Sequence, residues 1–421
     1  MDNDEEQQGR LLLAALDAEP TGPSRVDLGQ ILFDGRRRAR RRTLAGSTAV
    51  ASLIGILAAS FAIVTVVRHT GTTPAVVVLD GPSASTTEQA PTPPSACVAH
   101  PLPLPPGQRG VTMMAIDPSG RYLVGRSVDK VGRYYALLWT DGMLSVLDPG
   151  GSDGEVDGMA VNADGTVVWS DSDAGAKGKP YQETLWRYQN GKASMLAAAA
   201  GYRAMAIDPH GTIYALDQGP LSAPPTPVSE WHARLLTMSV DGTRTVRDLQ
   251  PHDASGRASV MAVDADGTAV GTVGTVGPAP SGLVRSDAVV WPAEGGTREL
   301  AVPDGYLGEF DTLTINNGRV AGGTFSALKK SKGALRWDLR TGAAQVIDPL
   351  AWVRAMNRYG WVVGADQRGQ TVAVLGDQVL RLPAPREVEG GAGVTADVLS
   401  DDGRVVGGEL ASTMPIRWTC G

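Results

Sequence analysis

By residue type, the groups best suited to chemistry in this chain are the carboxylates of Met261-Ala-Val-Asp-Ala-Asp-Gly-Thr-Ala-Val-Gly271, two acids beside a glycine. Paired carboxylates can divide the work of general acid and base when their environments differ. The stretch is not unique, however. Near-copies are Met114-Ala-Ile-Asp-Pro-Ser-Gly120, Met159-Ala-Val-Asn-Ala-Asp-Gly165 and Met205-Ala-Ile-Asp-Pro-His-Gly211. Weaker ones end at Gly318, Gly360 and Gly403, which makes seven. A catalytic constellation has to be singular, so an acid that returns in each unit serves shape. Asp and Asn side chains bond nearby backbone and glycine accepts a positive φ, so each copy reads as a strand ending in a tight corner.

The remaining reactive residues form no recognised constellation. The five histidines (69, 100, 210, 232 and 252) lack metal-ligand spacing, and His210 falls inside a corner. No G-x-S-x-G nucleophile elbow occurs. The sequence thus offers no catalytic residue, no metal site and no cofactor site. The net charge of −7, from 45 acidic and 38 basic residues, gives no broad attraction for nucleic acid. The two cysteines, Cys97 and Cys420, stand at the two ends of the repeat region.

The repeats also define the elements that would position a site. Their glycines are spaced by 45, 46, 56, 51, 42 and 43 residues, a period of solenoids and propellers. After each corner comes a β-branched run with a small residue, such as Trp361-Val-Val-Gly364 or Arg404-Val-Val-Gly407. A loop follows, then an apolar strand ending in Trp, as in Ala136-Leu-Leu-Trp139, Val289-Val-Trp291, Leu335-Arg-Trp337 and Ile416-Arg-Trp418. A tight turn (Asp141-Gly142, Asn190-Gly191, Asp241-Gly242, Gly295-Gly296, Thr341-Gly342) leads to a last strand such as Arg298-Glu-Leu-Ala-Val-Pro303. Four short strands per unit make the blade of a β-propeller, so residues 96–421 are expected to form an all-β, seven-bladed ring. The tryptophans would fill the gaps between sheets, and the strand glycines would let neighbouring backbones approach near the axis.

The seventh unit lacks its last strand, because Ile416-Arg-Trp-Thr-Cys420 is followed only by Gly421. Cys97-Val-Ala-His-Pro-Leu-Pro-Leu-Pro105 has the character of a last strand and would close the ring, removing two open edges. Cys97 and Cys420 would then lie on neighbouring strands. Outside the membrane they are expected to be oxidised to a disulfide.

Ahead of the ring the composition changes. Residues 1–43 are polar, with eight acidic residues and eight arginines, six of the latter in Arg36-Arg-Arg-Ala-Arg-Arg-Arg42. Short helices or disorder are expected there. Residues 44–67 (LAGSTAVASLIGILAASFAIVTVV) carry no charge and are long enough to cross a bilayer as a single transmembrane helix. The arginine block places the N-terminus in the cytoplasm and the C-terminal bulk outside. A cleaved signal peptide, cut near Ala58-Ala-Ser60 or Ser60-Phe-Ala62, is the rival reading; the long pre-region and long apolar run oppose it. Residues 68–95 are rich in Thr, Ser and Pro and read as an extended tether.

At this point the motifs carry a resemblance. The corner Met261–Gly271 followed by Ala288-Val-Val-Trp291 resembles the extracellular HAF repeat, a relative of WD-type propeller repeats. The resemblance spans roughly 110–421; units three and six depart from it, with Leu236 and Leu375 near the Trp position. The N-terminal tail is similar to those of actinobacterial single-span membrane proteins, anti-sigma-like regulators among them, but no His or Cys ligand of the zinc type occurs before His69. The resemblance implies a fold and hands over no chemistry.

Function is therefore sought in loops that do not repeat. In a four-stranded blade, corners and third-strand turns share one face. Second-strand loops and blade-to-blade connections share the other, and long loops on a rigid ring are a usual place for binding. The long ones are 171–179, 219–230, 273–286 and 326–332. The ligand-face candidates are Trp231 and His232 after a proline-rich loop, His252 with Asp253, and Lys329 with Lys330 beside Lys332. The expected role is a membrane-tethered extracytoplasmic module for binding, sensing or protein interaction. Its partner outside would be a protein or polymer, and a cytoplasmic partner could engage residues 1–43. The alternative is a propeller lyase or hydrolase acting on a cell-surface polymer. Acids converging on the loop face would favour the enzyme, and an apolar or basic funnel would favour binding.

Overall fold

In the computed structural model the residues that can be described are 89–148, 150–173, 182–196, 201–217, 233–251, 256–276, 283–326, 331–385 and 393–421. They form seven four-stranded antiparallel sheets. Six are sequential: blades one to six span 108–146, 156–195, 203–249, 256–299, 306–346 and 352–381. The seventh joins Val394–Leu399, Val405–Leu410 and Met414–Cys420 to Cys97–Pro101, which lies outermost. Cys97 pairs with Cys420 and Pro101 with Ile416 across that junction. The expected closure by the N-terminal strand is therefore present. Among the described residues there is no helix long and apolar enough to cross a membrane. The tail 1–43, the span 44–67 and most of the tether lie outside the described residues.

The core is divided into seven layers, each shared by two successive blades. Leu123, Leu137 and Trp139 of blade one pack with Val398 and Val405 of blade seven, so the last layer closes the circle. The first strand of each blade touches that of the next all the way round, which sets these strands innermost. Trp139, Trp291, Trp337 and Trp418 are buried between sheets. Each indole N–H also donates to a carbonyl at the exit of the preceding blade's outer strand: Pro103, Gln250, Ala301 and Pro383, at 2.6–2.8 Å. The tryptophan thus clamps one blade to the next while satisfying its own buried donor. Blades three and six manage with buried Leu236 and Leu375.

All seven corner glycines have positive φ, from 69° to 88°. In six corners the glycine N–H donates to the carbonyl three residues back, as Gly120 does to Asp117. Blade five differs. There Asn317 and Gly318 (φ 49° and 69°) form a two-residue hairpin turn, because Asn tolerates a left-handed backbone. The corners are also seats: a Cβ on Gly165 would stand 2.8 Å from the ring of Tyr122 in the preceding blade.

Two expectations need correction. The strand glycines serve the approach of neighbouring blades at only some positions: a Cβ on Gly158 would stand 2.3 Å from Ala204 O of the next blade, and one on Gly407 2.5 Å from the side chain of Leu123. Each innermost strand carries a β-bulge. A Cβ on Gly125, Gly271, Gly364 or Gly408 would run into an inner-strand carbonyl of its own blade beside that bulge. In blade two the facing residue is Ser170, and the glycine has moved into the bulge itself as Gly158 (φ 54°). Three of the four long loops are also shorter than expected. The second strand of blade four runs to Val276 and the third starts at Leu283, since Val270-Gly-Thr-Val-Gly-Thr-Val276 keeps pairing past the blade. Likewise blade two's second strand reaches Asp173 and blade five's third begins at Ser331.

Candidate functional site

The two faces of the ring are built differently. The corner face repeats, and the chain enters there: Cys420 N bonds Arg404 O beside the blade-seven corner. The Ser95 and Ala96 amides bond Gly421 O at 2.8 and 3.2 Å, and Gln378 Nε2 donates to Pro94 O at 3.0 Å. Cys97 and Cys420 form the expected disulfide, closing 323 residues of sequence. The loop face lies at the opposite ends of the strands. All six sequence-named candidates (Trp231, His232, His252, Asp253, Lys329 and Lys330) fall outside the described residues. The strand ends that flank them belong to the loop face, in blades three to five.

Two clusters lie on that face; the first was not read from the sequence, and of the second only Lys332 was named. The first joins blades one, two and three. Arg126 Nη1 lies 2.6 Å from Glu155 Oε1 and 3.9 Å from Asp157 Oδ1, and Arg203 Nη2 lies 3.3 Å from the same Asp157 oxygen. Arg126 also donates to Val156 O at 2.6 Å. None of the four side chains is more than 27% exposed. Two carboxylates do converge here, and both meet guanidinium groups. Burying such charges is tolerable only because each is matched. Ser152 donates to Asp171 nearby, and Ser172 Oγ donates to Glu155 O at 3.1 Å.

The second cluster joins blades five and six. Lys332 Nζ sits 2.8 Å from Asp311 Oδ2 and 4.2 Å from the centroid of the Trp352 ring. The indole N–H of Trp352 donates to the same carboxylate at 3.3 Å. Gln367 Nε2 donates to the carbonyl of Lys332. Asp311 is 58% exposed and Lys332 43%, so this group faces solvent. Asp311 owes its position to the bulge, where it is the residue skipped between Phe310 and Thr312.

A signal for both clusters was present in the sequence. Inner strands are apolar in their alternation, and Asp157, Arg203, Asp311, Arg354 and Asp397 interrupt it near the bulge, where blades one, three and four carry Met114, Met205 and Met261. At the short loop 129–133 of blade one, burial pulls the Asp129 carboxyl upward. Bonds from Arg133 N, Tyr135 OH and Val131 N outweigh it and hold the carboxyl below its ordinary value. Burial, then Asp129, raises the Tyr135 phenol.

No protein-family model matches the chain, and no curated protein is similar to it in sequence. Among solved structures it is similar to the β-propeller domain of the Trilobed protease from Pyrococcus furiosus. The identity is 9% over 74% of this chain and 96% of that one, with a TM-score of 0.50. Oligogalacturonate lyase from Vibrio parahaemolyticus follows at 11% identity, 78% and 98% coverage and TM-score 0.47. A chain of the Mitotic Checkpoint Complex follows at 12%, 83% and 99%, and 0.46. At such identities the likeness concerns the fold alone. The Pyrococcus propeller is described as an open velcro, whereas blade seven here is completed by the N-terminal strand and a disulfide.

Proposed function

We propose that this chain is a membrane-tethered extracytoplasmic β-propeller that binds a protein or polymer on its loop face. Residues 44–67 would span the bilayer with 1–43 inside, where that tail is free to engage a cytoplasmic partner. The resemblance of the corners to the extracellular HAF repeat and the ring-closing disulfide support an oxidising location. The observation that carries the reading is the division between faces. The repeated corners and the incoming tether occupy one face, and the two clusters that span several blades, Arg126–Glu155–Asp157–Arg203 and Lys332–Asp311–Trp352, lie on the other. Protease shaving of intact cells tests the placement. The propeller is expected to be cleaved while an epitope within 1–43 stays protected; protection of both would contradict it.

The alternative, a propeller enzyme acting on a surface polymer, draws on Glu155 and Asp157 meeting at Arg126. It requires turnover. Loss of product release in Glu155→Gln and Asp157→Asn with binding retained would favour it over a binding module.

A further inference from the structure

We propose that the rim between blades five and six, around Trp352, is a subsite for an acidic saccharide, a sugar ring that carries a carboxylate. The proposal rests on the binding role of the loop face and names the chemistry of the ligand there. Of the tryptophans in the described residues, four clamp blades through buried indole bonds to backbone carbonyls. Trp169 and Trp186 stack on each other at 6.0 Å, and Trp361 belongs to the core between blades six and seven. Trp352 has none of these duties. Its N–H meets an exposed carboxylate and its face meets an exposed ammonium.

The cluster does little for the ring as such. An exposed ion pair and an exposed cation–π contact each contribute little to stability. The apolar layer of Ala321, Leu350, Val353 and Val372 already joins these two blades. What the cluster does supply is a set of complementary groups held on strands. The indole face accepts the C–H side of a sugar ring. Asp311 accepts hydroxyl donors, and the exposed Gln367 side chain is held against the backbone of Lys332. Lys332, leaving the indole, pairs with a sugar carboxylate, and Arg354 is an exposed second cation on the same inner strand as Trp352. A neutral sugar would use the ring and lose the cations. A phosphate polymer would use the cations and lose the ring. Only a carboxylated sugar engages both.

The test uses the full chain in nanodiscs and three probes: a glucose oligomer, the matching oligomer of glucuronate, and polyglycerol phosphate. Calorimetry is expected to show that the glucuronate oligomer binds at least tenfold tighter than the other two. Trp352→Ala and Lys332→Met should each weaken it tenfold or more. Trp352→Phe should keep most of the affinity, and Lys332→Met should also reduce the salt dependence. Thermal melting of each variant, unchanged from the parent, shows that lost binding is not lost folding; if a variant melts early, Lys332→Arg and Trp352→Phe carry the comparison. Equal binding of the glucose and glucuronate oligomers, or affinity unmoved by both variants, overturns the subsite. If no oligomer binds while the chain still captures envelope material through its loop face, the acidic saccharide is wrong and the binding role survives. If neither binds, both readings fall.

Discussion

At the scale of single residues, the Asp/Asn choice at the corners of blades two, four and six follows what the next blade presents. Asn162 donates through Nδ2 to Asp208 O at 3.3 Å, and Asn357 to Asp401 O at 2.9 Å, because those neighbours offer carbonyls. Asp264 instead faces the tight turn of blade five, which offers an N–H: Gly318 N donates to its Oδ2 at 3.0 Å. Burial raises the Asp264 carboxyl above its ordinary value, against those amide bonds. A folded-state value above the unfolded one gives stability that is complete at low pH and lost as pH rises through the folded value. Asp264→Asn should remove that dependence. Denaturant unfolding at pH ~4 and ~7, spanning the ordinary carboxyl range, is expected to shift in the variant's favour at the higher pH; a difference independent of pH would contradict this. A corner glycine and a third-strand turn glycine allow a cleaner comparison. Gly165 and Gly191 share φ near 75° (74° and 78°), but only Gly165 lies under a neighbouring side chain. Gly191→Ala should cost about 1 kcal/mol of backbone strain, and Gly165→Ala distinctly more, since Tyr122 must also move. Equal losses would show that the seat is unimportant.

At the scale of elements, the strand Cys97–Pro101 decides whether the ring is a ring. It completes blade seven, and the residues just after it accept the Trp139 clamp through Pro103 O. The disulfide adds to that pairing by restricting the unfolded chain across 323 residues, worth about 2–5 kcal/mol before any strain. Reductant is expected to lower the melting temperature of the parent by several degrees and to leave a Cys97→Ser/Cys420→Ser variant where it was. A parent insensitive to reductant would mean that strand pairing alone holds the closure. This element was legible from the chain itself, because the missing fourth strand after Trp418 and the paired cysteines specify the same closure. The bulges were not. A bulge is one unpaired residue in an otherwise ordinary strand, and Met114, Met205 and Met261 at those positions look like core.

At the scale of the molecule, repetition explains what could and could not be read. Corners and sets of four strands recur seven times and the tryptophan clamp four times, so each copy corrects the reading of the others, and a departure such as Asn317-Gly318 stands out. A site has no second copy. Trp352 is one more tryptophan in a strand, and Asp311 and Lys332 are 21 residues apart, joined only when two strands of blade five fold together. The strand ends that flank the named loop candidates belong to the same face, because face follows from strand order alone.

The central claim is that the loop face carries the binding and the corner face carries the chain's attachment. Full-length chain in nanodiscs, bearing a polyethylene glycol on a single introduced cysteine, tests it by co-sedimentation with isolated cell envelopes. Arg368→Cys places the polymer on an exposed loop-face turn of blade six, and Ala163→Cys on an exposed corner of blade two. The expected result is capture abolished by the polymer at position 368 and preserved with it at 163; the reverse pattern, or equal loss at both, would contradict the account.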